Sequence, residues 1–201
     1  LKYKDIKENL VDIDKIVKAN TEYIGKKVVY FKEIDSTQAE AKRNKQKYEN
    51  GTIIIADIQT SGKGTHGRMW HTKSNNIAMT IVLKPQANIK QLEGFTLAIA
   101  ENIKYAIQEL YNINLEVKLP NDLLLNNKKI CGILTEVITV QENIRELFIG
   151  IGFNVNENDF SNDILNIATS LYNETKQQYC REDIICKIIE NIERELNTRI
   201  F

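Results

Sequence analysis

Between two β-branched runs, Thr52–Ile58 and Ile77–Leu83, lies a glycine-rich segment that opens no helix. Gly62-Lys63-Gly64-Thr65-His66-Gly67 matches G-x-G-x-x-G literally. A dinucleotide-binding unit, however, needs a strand before those glycines, a helix after them and an acid about 20 residues further on. Here the chain passes through Trp70 and Asn75-Asn76 into another strand, and Lys84–Ala87 offers no acid. A Walker loop fails as well, because Gly62-Lys63 is followed by glycine and no glycine stands five residues earlier. The segment therefore directs the chain away from a parallel, doubly wound sheet.

The remaining periodicities agree. Ile6, Leu10, Ile13 and Val17 predict an amphipathic helix over residues 1–20, and Val28–Phe31 a short strand. Thr37–Lys47 favours a helix, closed by Asn50-Gly51. Leu92, Phe95, Ile99, Ile103 and Ile107 mark one long helix from Ile89 to Leu110. Leu115–Leu119, Asp122–Leu125, Lys129–Val140 and Leu147–Val155 read as antiparallel strands, with Asn126-Asn127 as a tight turn, since Asn tolerates positive φ. Ile185, Ile189, Ile192 and Leu196 predict a closing helix. The expected fold class is α+β: a mostly antiparallel mixed sheet backed by helices.

The 201 residues suit a single domain able to bury a core without staples: residues 1–23 an N-terminal helix, 24–175 the core, 176–201 a C-terminal helix. Lys plus Arg equals Asp plus Glu, 27 each, so no global basic field invites nucleic acid or a membrane surface. Cys131, Cys180 and Cys186 are odd in number and lack metal-ligand spacing, which suits reduced thiols in a cytoplasmic protein. His66 and His71 have no cysteine or carboxylate pair beside them, and no metal ligation by protein side chains is predicted.

Two constellations can carry chemistry. In the first, glycines let backbone N–H groups approach an anion, Lys63 and Arg68 add charge, and Trp70 offers a stacking face. The same residues are also those of a solvated basic loop with its Trp in the core. In the second, Lys118-Leu119-Pro120-Asn121-Asp122 joins two strands, and Gly132 follows at hairpin distance. A lysine there is ordinarily a surface charge, but a glycine within a strand often marks close approach of a ligand. Ser36 and Thr37 read as a helix cap or as ligand contacts, and Asn154 as a turn residue or an adenine reader.

Order and spacing narrow these alternatives. Ser36-Thr37-Gln38, Gln59 through Trp70, Lys118 through Asp122, Gly132 through Glu136 and Gly150 through Asn156 follow one another as the motifs of the biotin–protein ligases do. The chain resembles that family over roughly residues 24–175, within the wider biotin/lipoate ligase group. It departs from the pattern at Gln38 (usually Asn), Leu119 (usually Trp) and Thr65 (often a second Arg). Lipoate and octanoate ligases resemble Arg-Arg-x-Ser-Gly-Gly-Gly in the glycine segment, which this chain lacks. A non-enzymatic biotin-binding module would need no triphosphate site, whereas Lys118, Arg68 and Trp70 are kept.

The resemblance implies an enzyme that activates biotin with ATP and Mg²⁺ as biotinyl-5'-AMP and passes it to a lysine of a biotin carboxyl carrier domain of a carboxylase. It implies Lys118 and Arg68 as catalytic cations. Ser36, Thr37, Gln38, Gln59, Lys63, Gly64, Thr65, Lys118 and Gly132 would bind biotin, and Lys63, Arg68, Trp70 and Asn154 the nucleotide. Neither the family's N-terminal DNA-binding domain nor its C-terminal β-barrel is expected in this chain, no nucleic-acid or membrane partner is expected, and a homodimer is left open.

Overall fold

The computed structural model of the chain describes residues 11–73 and 75–200, without the side chains of His66 and His71; the reading of those two as unligated lies outside the described residues. Eight strands form one sheet: β1 Val28–Ile34, β2 Thr52–Lys63, β3 Met69–Thr72, β4 Ile77–Leu83, β5 Glu116–Lys118, β6 Asp122–Leu125, β7 Lys128–Val140 and β8 Asn143–Phe153. Their order is β1-β2-β4-β8-β7-β6-β5, with β3 paired to β2 off this path. Only β1 and β2 run parallel, joined by the crossover helix α2 (Thr37–Arg43). The other named pairs are antiparallel, as the sequence predicts.

Strand alternation divides the sheet into two unlike faces. One face carries Ile53, Ile55, Met79, Ile81, Ile149, Ile151 and Ile133 into the main core. There they meet α3 (Phe95–Tyr111) and α5 (Arg181–Arg199), whose Ile99, Ile103, Ile107, Ile185, Ile189 and Ile192 are fully buried or nearly so. Each such side chain contributes about 1.5–3 kcal/mol by leaving water. The other face holds a small cluster of Ala41, Tyr48, Ile54, Val82 and Phe148 beneath α2. Beyond that cluster its residues shrink to Ala78, Thr80, Gly132, Gly150 and Gly152, which leaves a hollow that the Trp70 and Gln38 side chains partly fill.

Two buried anions fasten the ends of the chain to this frame. The Glu193 carboxylate accepts from the backbone N–H groups of Glu22, Tyr23 and Ile24 at 2.5–3.0 Å, which docks the segment after α1 (Ile13–Val17) onto α5. Asp57 pairs with Arg181 at 3.0 Å, fixing the start of α5 against β2. A further short helix, α4 (Leu171–Thr175), precedes it.

Some expectations need correction. The N-terminal helix spans only Ile13–Val17 among the described residues, and residues 1–10 lie outside them. The helix expected over Ile89–Leu110 is broken: a 3-10 turn at Ile89–Leu92 ends at Gly94, whose φ of 68° a helix cannot continue, and α3 starts at Phe95. Strand β2 runs past Ile58 through Gly62 to Lys63. The α2 helix ends at Arg43, and Lys45–Lys47 forms a separate 3-10 turn. Asn126 and Asn127 do turn the β6–β7 hairpin, both at positive φ. No described helix is long and apolar enough to cross a membrane.

Candidate active site

The site is built on the open face of the sheet. Cross-strand pairing aligns Ala78, Gly152, Gly132, Asp122 and Lys118 in one row, and Thr80, Gly150 and Leu134 in the next. Residues paired across strands share a face, so each row is a strip of one surface. The indole of Trp70 lies on the first strip. A side chain at Gly152 would overlap its ring, and a Cβ at Gly132 would stand 3.2 Å from it. Gly132, the glycine expected to mark close approach of a ligand, thus faces Trp70 and Lys129.

The glycine segment is a strand-turn-strand. Gly62 pairs with Trp70 and Lys63 with Met69, around a 3-10 turn at Thr65–Gly67. A side chain at Gly62 would collide with the Trp70 carbonyl, so close backbone approach requires glycine there. The Arg68 guanidinium folds back on the turn, donating to the Thr65 carbonyl (3.3 Å) and hydroxyl (3.1 Å).

Two cavities meet at Trp70. The first is a narrow slot of about 40 Å³, lined by Ser36, Thr37, Gln38, Gln59, Lys63, Gly64, Thr65 and Gly132 among others. Its polar groups bond to one another. Gln59 Oε1 accepts from the Thr37 backbone N–H (2.9 Å) and hydroxyl (3.1 Å), and Gln59 Nε2 donates to Thr72 (3.0 Å). Thr80 Oγ1 lies 3.0 Å from both Thr37 Oγ1 and Gln38 Oε1. Ser36 caps α2 by accepting from the Ala39 N–H, and Asp35 before it is gripped by both Arg43 guanidinium nitrogens at 2.9 and 3.1 Å. That hydrogen-bonded cation holds the Asp35 carboxyl down to about 2, against the smaller opposing effect of burial. The helix start that presents Ser36 and Thr37 is therefore pinned from outside.

The second cavity is a chamber of about 420 Å³ bounded by Arg68, Met69, Trp70, Lys73, Asn154 and the 157–168 segment. Asn154 donates to the Thr169 carbonyl at 3.0 Å. Asn76 receives the Val155 N–H and reaches Glu157, while its own carbonyl accepts from Arg181. Lys73 bonds the Asp159 carbonyl (2.6 Å) and stands 3.7 Å from the Glu157 carboxylate. Among the described residues no group of three His, Cys, Asp or Glu side chains could hold a metal ion.

Every residue predicted to bind biotin except Lys118 lines the slot. Of the predicted nucleotide contacts, Arg68, Trp70 and Asn154 line the chamber, and Lys63 the slot. Lys118 lines neither cavity. It is exposed at the end of β5, and its ammonium has no hydrogen bond or ion pair among the described residues. Its pairing with Asp122, itself paired with Gly132, keeps it on the ligand face, about two strand spacings or ~10 Å from the Gly132 backbone.

Sequence reasoning missed Lys129, which lines both cavities. Its ammonium forms an ion pair with Asp122 at 2.6 Å and lies 5.5 Å from the Trp70 ring centroid. No motif marked it, because its position depends on the β6–β7 register. Thr80 was also missed, and Asn121, part of the second constellation, was given no role; it is held by its side-chain bond to the Ile133 carbonyl (2.9 Å).

The model of the biotin/lipoate A/B protein ligase family matches residues 29–154. The chain is 35% identical over 173 residues to the bifunctional ligase/repressor BirA of Bacillus subtilis, covering 84% of this chain and 53% of that protein. It is 34% identical over 130 residues to the biotin–[acetyl-CoA-carboxylase] ligase of Paracoccus denitrificans, covering 60% of this chain and 51% of that one. The chain thus spans about half the length of these relatives. Among solved structures, the biotin protein ligase of Aquifex aeolicus in complex with biotin and ATP superposes with a TM-score of 0.75 at 30% identity, over 86% of this chain and 71% of that one.

Proposed function

Because the chain belongs to the biotin/lipoate A/B protein ligase family, we propose that it is an ATP-dependent biotin–protein ligase. The observation that carries this reading is the pair of abutting cavities: a narrow slot of hydrogen-bonding groups beside a larger chamber, with Trp70 as the shared wall. A ureido ring with its N–H and carbonyl groups suits the slot. The dithiolane of lipoate offers no N–H donor to the Thr37, Gln38 and Gln59 oxygens there.

The first step joins two anions. The biotin carboxylate attacks the α-phosphorus of ATP, the bond to the β-phosphate oxygen breaks, and pyrophosphate leaves. Preorganised cations are the main means of lowering such a barrier. Lys118 is proposed to reach between carboxylate and α-phosphate, with Lys63 and Arg68 on the phosphates. Lys129, now held by Asp122, adds positive charge where the cavities join. Mg²⁺ would travel on the nucleotide phosphates, as is usual for this ion. In the second step a carrier lysine amine attacks the acyl carbon of biotinyl-5'-AMP, forming the amide and releasing AMP.

Ser36, Thr37, Gln38, Gln59 and Gly132 are proposed to hold the biotin ring, with Lys63, Gly64 and Thr65 over its chain. Trp70 and Asn154 are proposed to contact the adenine. The proposed partner is a biotin carboxyl carrier domain of a carboxylase, in the cytoplasm. That the Paracoccus relative is a biotin–[acetyl-CoA-carboxylase] ligase supports that choice. Incubation with labelled biotin, ATP and such a carrier domain should transfer label to the carrier and release AMP and pyrophosphate. Label bound without ATP consumption would reduce the protein to a biotin-binding module, and transfer of lipoate instead would assign the other branch of the family.

A further inference from the structure

The Gly132–Glu136 motif ends in a carboxylate to which the proposed reaction gives no task. Glu136 lines neither cavity. Its Oε1 accepts from Lys42 Nζ at 2.8 Å and its Oε2 from Gln38 Nε2 at 3.0 Å. The Leu134 carbonyl accepts from the same Gln38 nitrogen at 3.3 Å. An ionised carboxylate and a carbonyl can only accept, so the NH₂ end of the buried Gln38 amide must face them. Its oxygen is thereby turned toward the slot. Gly150 makes the space, since a Cβ there would stand 2.7 Å from Gln38 Oε1.

The orientation propagates. Thr80 is fully buried and has one hydroxyl proton for two oxygens, each 3.0 Å away. Gln38 Oε1 carries no proton of its own, so the Thr80 proton goes to it. The Thr37 proton then goes to Gln59 Oε1, at 3.1 Å, or to the Thr80 oxygen. In either case no hydroxyl proton of Thr37 or Thr80 is left for a ligand, and what this row turns to the slot is lone pairs.

Resting on the reading of the slot as the biotin ring site, we infer that Glu136 is a specificity-determining positioning residue. It locks the Gln38 amide and, through Thr80 and Thr37, makes this row of the slot a lone-pair surface selecting a ring whose edge bears N–H donors. Lys42 balances the charge of Glu136 without entering this chain of hydrogen bonds.

The test measures biotin binding by calorimetry, with KM and kcat for adenylate formation. Glu136→Gln keeps the shape but can accept or donate, so the amide is free to turn; Thr80→Val breaks the next link. Each should weaken biotin binding about tenfold, the scale of a buried hydrogen bond lost or reversed. KM for ATP and kcat should stay within about twofold. The double variant should lose little more than the worse single one, because both changes break one chain. Lys42→Met should bind biotin as the wild type does. Wild-type affinity in either Glu136→Gln or Thr80→Val overturns the inference, as does a loss in Lys42→Met equal to that in Glu136→Gln. Should the unaltered protein itself bind no biotin, the functional reading fails rather than this one.

Discussion

The slot and the chamber share Trp70 but are built on opposite principles. In the slot, Thr37, Gln38, Gln59 and Thr80 are fixed by one another above a floor of strand backbone. The chamber is about ten times larger and is closed partly by the 157–168 segment. Its rim exposes apolar Met69 and Ile167, 61% and 64% accessible, and its Arg68 is folded onto its own turn. The slot's polar groups are thus held across strands, whereas the chamber's guanidinium is held within its own turn.

The comparison can be broken or sharpened in order of expected effect. Lys118→Ala, outside both cavities but on the same face of the sheet, should lower adenylate formation about a hundredfold in a pyrophosphate-exchange assay, the scale of losing one electrostatic stabiliser. Near-normal exchange would remove Lys118 from the chemistry and leave that role to Lys129. Gly152→Val would drive Trp70 off its floor and should raise KM for biotin and ATP together, about thirtyfold each, as overpacking of a tight site does. An effect on one substrate alone would mean that Trp70 is not a shared wall. Gly150→Ala presses only on the Gln38 amide, so it should raise KM for biotin about tenfold and leave ATP unchanged. Thr65→Arg adds a cation over the join and should slow release of biotinyl-adenylate about fivefold, on the scale of one partly exposed ion pair. Identical release rates would show that the turn does not cover the intermediate.

The elements whose conformation is set locally were legible in the sequence. Asn126-Asn127 announces its turn because both residues tolerate positive φ, and the β-branched run Ile77–Leu83 marks β4 to the residue. The break at Gly94 was not legible, because the apolar spacing of Leu92 and Phe95 continues across it while the backbone does not. In the site, the motif residues were readable as a set: the expected biotin contacts other than Lys118 line the slot, while Gly64, Thr65 and Trp70 line both cavities. Lys129, Thr80 and the task of Glu136 were not readable. Each depends on which residue faces which across strands, and a one-residue change of register would turn it to the other side of the sheet.

The most direct test of the two-compartment account is a crystal structure with biotin and a non-hydrolysable ATP analogue bound together. The account predicts the ureido ring against Thr37, Gln38 and Gln59, the adenine beside Trp70 and Asn154, and the Lys118 ammonium drawn in between carboxylate and α-phosphate. Biotin seated outside the slot, or Lys118 still turned to solvent with both ligands in place, would contradict it.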